Sequence, residues 1–178
     1  AERFAWLKGI ASEVIATPGS ESNVKEIYDK CWEIRRTRPE CVIFNQFEEF
    51  GNPIFHYNVT GPAFEEVLSE LGNARLRPAA YISATGSAGT IAAGDFLKKR
   101  FPGLKTVATE ALQCPTLLMN GFGDHRIEGI GDKMVTLIHN VFNTDLLMLI
   151  HDEDTVRGME VIQSGTQVLV DRLGVSAV

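Results

Sequence analysis

The sequence predicts an α/β fold built on a mostly parallel sheet with helices on both faces, and three observations carry that reading. Apolar, strand-length runs recur at Pro78–Ser83, Lys105–Glu110 and Leu146–Ile150. Segments with apolar residues at helical spacing lie before, between and after them, and strands alternating with helices argue for parallel pairing. Finally, Ala79 to Gly94 passes from an apolar strand through a glycine- and hydroxyl-rich turn straight into a helix that runs to about Arg100.

Taken in order, Phe4, Leu7 and Ile10 fall on one helical face, so the chain enters on a helix. Glu13 to Thr17, with Val14 and Ile15, reads as a strand closed by Pro18-Gly19. From about Ser22 to Thr37, Val24, Ile27, Tyr28, Cys31 and Ile34 again share a helical face. Arg38-Pro39 ends that helix, Cys41 to Phe44 reads as a second strand, and a polar loop with Gly51-Asn52-Pro53 follows. Thr60-Gly61-Pro62 reads as a helix start with proline in the first turn, and Gly72-Asn73 as its stop. Ala111 to about His139 is long and irregular, which in a compact domain marks a functional or disordered segment. A helical pattern resumes at Asp152 and continues towards Leu173, with a break signalled at Ser164-Gly165. The alternation pauses in the polar stretch Asn45–Tyr57, the natural place for a boundary between two lobes.

The 178 residues are 44% hydrophobic and 22% charged, the balance of a chain that can bury a sizeable core. Formal net charge is −6, and basic residues cluster only at Arg35-Arg36 and Lys98-Lys99-Arg100, which argues against nucleic acid as a partner. The longest apolar run, Leu146–Ile150, is far short of the roughly 20 residues a membrane-spanning helix needs, so no membrane partner is expected. Nothing near Ala1 resembles a signal peptide. Three cysteines (Cys31, Cys41, Cys114) without metal-ligand spacing point to a reducing cytoplasm, and four scattered histidines argue against a metal site.

The loop Gly86-Ser87-Ala88-Gly89-Thr90 carries the chemistry. The first N–H groups of a helix lack partners inside it, and the aligned peptide dipoles favour negative charge there. Gly86 and Gly89 let the backbone turn sharply and approach a ligand, while Ser87 and Thr90 add hydroxyl donors, so the expected ligand is a phosphate group. No Gly-Lys-Ser/Thr ending and no G-x-G-x-x-G spacing is present, which excludes the two commonest phosphate loops. A tight turn without a ligand is the competing reading of the same residues.

Four blocks in sequence sharpen this. Asn45-Gln46-Phe47 with Asn52-Pro53, His56-Tyr57 and Thr60-Gly61-Pro62 form the first, and the glycine loop through Ile91 is the second. Val107-Ala108-Thr109-Glu110 with Cys114-Pro115 and then Gly123 to Gly131 complete the series. In order and separation they resemble the middle of the cysteine synthase / tryptophan synthase β-subunit-like family, the fold type II enzymes that use pyridoxal 5′-phosphate. The resemblance spans Ala1 to about Thr155. It implies an incomplete version of the tryptophan synthase β-like fold, with residues 1–50 in the small lobe and 51–178 in the large lobe. It implies that Gly86, Ser87, Ala88, Gly89 and Thr90 hold the phosphate of pyridoxal 5′-phosphate, that Gly129 lies in a loop beside the cofactor ring, and that Gln46 lines a substrate-carboxylate pocket or holds the loop. Ala88 stands where the family has the first glycine of a pair, so its methyl group is expected to restrict backbone approach slightly.

His125 reads as a structural histidine before a general acid or base, His56 as a loop-bonding one, and the pairs Glu48-Glu49 and Glu65-Glu66 as solvated faces. The family's Schiff-base lysine, its substrate-carboxylate loop and its pyridine-facing serine have no counterpart among these residues, and no residue is assigned a catalytic role. The resemblance therefore implies a lyase or β-replacement parent acting on an amino acid, inactive in this chain alone, and self-association through exposed sheet edges as a homo-oligomer. The alternative is a non-catalytic phosphate-ligand or partner-binding α/β domain.

Overall fold

The computed structural model describes residues 2–19, 24–71 and 77–173. Gly72-Asn73, the expected helix stop, and Ser22, the expected start of the second helix, lie outside the described residues.

The sheet has three parallel strands in the order β1 (Ala80–Ala84), β2 (Lys105–Ala111), β3 (Leu146–Ile150). Ala80 pairs with Lys105 and Ala84 with Thr109, and Val107 pairs with Leu146 and Ala111 with Ile150. The central strand β2 is buried from Thr106 to Ala111, as a strand flanked on both edges must be, and its Val, Ala and Thr residues suit that position.

The crossover from β1 to β2 is helix α5 (Ile91–Arg100), which packs on both strands. Ile91, Ala92, Ala93, Gly94 and Leu97 are its buried residues. Small side chains bring the helix close: a Cβ on Gly94 would lie 2.9 Å from both Thr106 Oγ1 and the Tyr81 ring. Ile91 joins Ala88 and Ala108 in the core, with Leu117 and Leu147 packed against them. Ile82, Leu146 and Met148 remain largely exposed.

Helix α1 (Glu2–Ile10) forms as expected, and α2 covers Val24–Thr37. The strands expected at Glu13–Thr17 and Cys41–Phe44 do not form: both segments are unpaired, with Val42 and Phe44 facing solvent. Their β-favouring side chains find no partner strand among the described residues, and strand propensity without pairing leaves only extended backbone.

A second correction concerns Gly51-Asn52-Pro53, which is the opening turn of a helix instead of a loop. Helix α3 (Gly51–Phe55) runs through a π turn (His56–Thr60) into α4 (Gly61–Glu70), so Thr60-Gly61-Pro62 lies within a continuous helical run. Pro53 in a first turn removes no helical hydrogen bond. Pro62 does, and the chain widens just ahead of it: Gly61 N–H donates to His56 O, five residues back. His56 is accordingly bonded within its own helix, Nδ1 to Thr60 Oγ1 at 2.9 Å. Glu48 is likewise no solvated residue, because its mostly buried carboxylate accepts from Tyr28 Oη, whereas Glu65 pairs with Arg100 at the surface.

Between β2 and β3 lie α6 (Thr116–Met119) and a 3-10 turn (Val141–Asn143), and after β3 come α7 (Asp152–Ser164) and α8 (Thr166–Leu173), broken at Gly165 as expected. The long segment after β2 is pinned by buried carboxylates. Glu110 accepts from Leu117 N–H and Leu118 N–H at 2.8 and 3.1 Å, stabilising the start of α6. Asp152 Oδ2 accepts from Arg126 N–H at 2.7 Å.

Candidate functional site

The glycine loop leaves the carboxyl end of β1, the end at which open parallel sheets bind ligands. Thr85 fixes its exit, since both its N–H and its hydroxyl donate to Thr109 O, at 3.0 and 3.1 Å. The first turn of α5 closes through Ile91 N–H to Ala88 O, Ala92 N–H to Gly89 O and Ala93 N–H to Thr90 O. That leaves the N–H groups of Gly86, Ser87, Ala88 and Thr90 with no acceptor among the described residues. Four unpaired donors in five residues at a helix start are what an anion requires.

The hydroxyls are held in place. Asn52 Nδ2 donates to Ser87 Oγ at 3.0 Å and to Gln46 O at 3.1 Å, so Ser87 keeps its own proton available for a ligand. Thr136 Oγ1 donates to Ser87 O at 2.7 Å. Thr90 is bound to Ser83, hydroxyl to hydroxyl, at 2.6 Å, and Tyr81 Oη donates to Thr90 O at 3.0 Å. Gln46 thus reaches the loop through its backbone carbonyl, while its side chain is exposed. Of the supporting residues, only Asn52 stood within a recognisable motif. Ser83, Tyr81 and Thr136 carry no sequence signal, because each is brought in by the sheet or by a long loop.

Backbone contact explains two of the glycines. A Cβ on Gly86 would collide with Gly129 O, and one on Gly89 with the Asn52 side-chain amide. The structure therefore brings Gly129 O against Gly86, and Gly129 itself has φ +83°. Ala88 has φ +65°, a left-handed conformation that disfavours a side chain. Its methyl is buried against Ile91 and Ala108. The expected restriction is thus a backbone strain, with the methyl turned into the core.

Beside Gly86 lies a small cavity lined by Thr85, Glu110, Thr116, Asp132, Thr136 and His139 among others. Asp132 was not singled out from the sequence. It is 5% exposed, its Oδ2 has no hydrogen-bond partner, and burial pushes its carboxyl up to about 6, against the opposing pull of His125. His125 has both ring nitrogens buried without a partner, and its ring packs where a side chain on Gly131 would lie. It lies beside Cys114 and Gly131. Among the described residues no group of three or more His, Cys, Asp or Glu is placed to hold a metal ion, and no helix is long and apolar enough to cross a membrane.

No protein-family model matches the chain. A probable cysteine synthase of Bacillus subtilis is 30% identical over 154 residues, which is 86% of this chain and 48% of that protein. Among solved structures, a hydrogen sulfide-producing enzyme of Fusobacterium nucleatum, in a variant holding an α-aminoacrylate intermediate, superposes with a TM-score of 0.76 at 23% identity, over 92% of this chain and 49% of that one. The O-acetylserine-dependent cystathionine β-synthase of Helicobacter pylori gives 0.72 at 26% identity, over 92% of this chain and 52% of that one. The chain spans about half the length of the relatives it matches.

Proposed function

From a chain that is a partial-length relative of the cysteine synthases in sequence and in fold, we infer that residues 86–90 hold the phosphate of pyridoxal 5′-phosphate in an amino-acid lyase or β-replacement enzyme. The observation that carries this reading is the run of unpaired N–H groups on Gly86, Ser87, Ala88 and Thr90, on a backbone packed too closely to admit side chains at Gly86 and Gly89. These residues fit a phosphate: N–H donors, a hydroxyl oriented by Asn52, and a helix N-terminus. The cofactor, when bound, supplies an electron sink for chemistry at an amino acid. The chain's own part is to bind and orient: loop 86–90 grips the phosphate, Gly129 O packs against Gly86, and Asn52 ties Ser87 to the Gln46 backbone.

The 178 residues by themselves are proposed to bind without turnover. Lys25, Lys30, Lys98, Lys99, Lys105 and Lys133 are engaged with partners outside residues 86–90. An assay of amino-acid consumption with added pyridoxal 5′-phosphate tests this, and turnover above the free cofactor would overturn it.

The binding reading is tested by the thermal shift with pyridoxal 5′-phosphate and with inorganic phosphate. Both are expected to stabilise the chain and to compete with one another. Gly89→Asp is expected to abolish both shifts, because its side chain displaces Asn52 and sets a carboxylate against the anion. Unchanged phosphate affinity in that variant would sink the assignment.

A further inference from the structure

Asp132 is the buried carboxyl at the foot of the glycine loop, and among the described residues no donor reaches it. Glu110, in the same cavity, has both oxygens bonded to backbone N–H groups at the start of α6. Asp152 also leaves one oxygen, Oδ1, without a partner, but its Oδ2 accepts from Arg126 N–H, which anchors it to the chain away from the loop. Asp132 Oδ2 is bonded by nothing, although it is more than nine-tenths buried. It lies 3.8 Å from the point a Cβ on Gly86 would occupy, and Asp132 and Gly86 line the same cavity. An oxygen in that position is orphaned as a carboxylate, and becomes useful once it carries a proton and has an acceptor in front of it.

We propose that Asp132 is a specificity-determining residue of the loop: its carboxyl must carry a proton for a doubly charged anion to bind, so binding takes up one proton from solvent onto that carboxyl. This rests on the phosphate reading of residues 86–90. An ionised Asp132 would set a negative charge against the incoming dianion in poorly solvated surroundings, whereas the neutral acid donates a hydrogen bond to it. The charged and titratable groups around it do not supply an alternative. Glu110 is committed to α6, and Lys133 is turned away onto Glu26 and the Phe122 ring. His139 lines the cavity with its own pKa lowered by burial, and His125 is the neighbour that opposes the effect of burial on Asp132. Burial has already raised the Asp132 carboxyl to about 6, so the bound anion needs to move it only a little further to keep it protonated near neutrality.

The test uses sulfate, whose charge is constant between pH 5 and 8, so that any pH dependence belongs to the protein. Calorimetric titration of the 178-residue chain in two buffers of different ionisation heat reads affinity and proton uptake together. Sulfate affinity is expected to fall with rising pH, by up to about tenfold per unit above the carboxyl's pKa, with uptake approaching one proton. Asp132→Asn and Asp132→Ser are expected to bind sulfate with a flattened pH profile and no uptake, while His125→Gln retains both. Sulfate binding that is independent of pH in the unaltered chain, or a dependence that survives in the Asp132 variants or vanishes in His125→Gln, would overturn the role of Asp132 and leave the loop reading standing. No sulfate binding at any pH in any of the proteins would overturn the loop reading and this inference together.

Discussion

Helices α1 and α2 bury no residue, while α5 buries Ile91, Ala92, Ala93, Gly94 and Leu97. The difference runs against what their sequences suggest. The first two carry large apolar side chains, yet Trp6 is 66% exposed and Ile10 65%. The third places the small residues Ala92, Ala93 and Gly94 among its buried positions and sits at the centre of the fold. A helix's apolar face shows that it seeks a partner, whereas small side chains show that a partner comes close. The candidate site is on the second kind of helix, because a rigid helix start is what holds unpaired N–H groups in place for an anion.

The sharpest way to break the contrast is Ile91→Ala, which opens a cavity where Ala88, Ala108, Leu117 and Leu147 meet. A loss of about 2–5 kcal/mol is expected in chemical denaturation. A loss below about 1 kcal/mol would mean that α5 is not the packing centre. Acid sensitivity gives the next test. Asp145 accepts from Lys98 Nζ and Thr106 N–H and pairs with Lys105, which lowers its carboxyl to about 2. A lowered folded-state pKa stabilises above the ordinary aspartate value, and that contribution is lost as pH falls from about 4 towards 2. Asp145→Asn should flatten this acid limb of stability, and an unaltered limb would refute the assignment.

Smaller effects sharpen the comparison further. Ala88→Gly relieves a left-handed alanine by about 1 kcal/mol and removes a buried methyl of similar value, so stability should stay within about 1 kcal/mol. A large loss would show that the methyl packs better than its strain costs. Trp6→Ala is expected to change stability by less than about 0.5 kcal/mol, and a larger loss would show that α1 packs more firmly than its exposure indicates.

Much of the sheet was legible before the structure. Leu146–Ile150 is a strand with the expected ends, Lys105–Glu110 extends by one residue to Ala111, and the Gly165 break falls where Ser164-Gly165 signalled it. The failures share a cause. Glu13–Thr17 and Cys41–Phe44 have strand-like residues, but pairing is a property of two segments, and one segment cannot announce whether the other is there. Gly51-Asn52-Pro53 has the composition of a turn, yet it is also a permissible first turn of a helix, and packing of the following helical run against α5 decides between them.

The sequence by itself determined the parallel α/β class, the passage from strand to helix through Gly86–Thr90 and the likeness to cysteine synthases, because these depend on local order: strand, small-residue turn, helix start. Only the tertiary structure decided what supports that loop. Asn52, Ser83, Tyr81 and Thr136 come to it from a helix, a strand and a long loop. The unpaired carboxyl of Asp132 stands beside Gly86 for the same reason: folding sets it there without regard to its distance along the chain, and burial then removes the water that would have satisfied it.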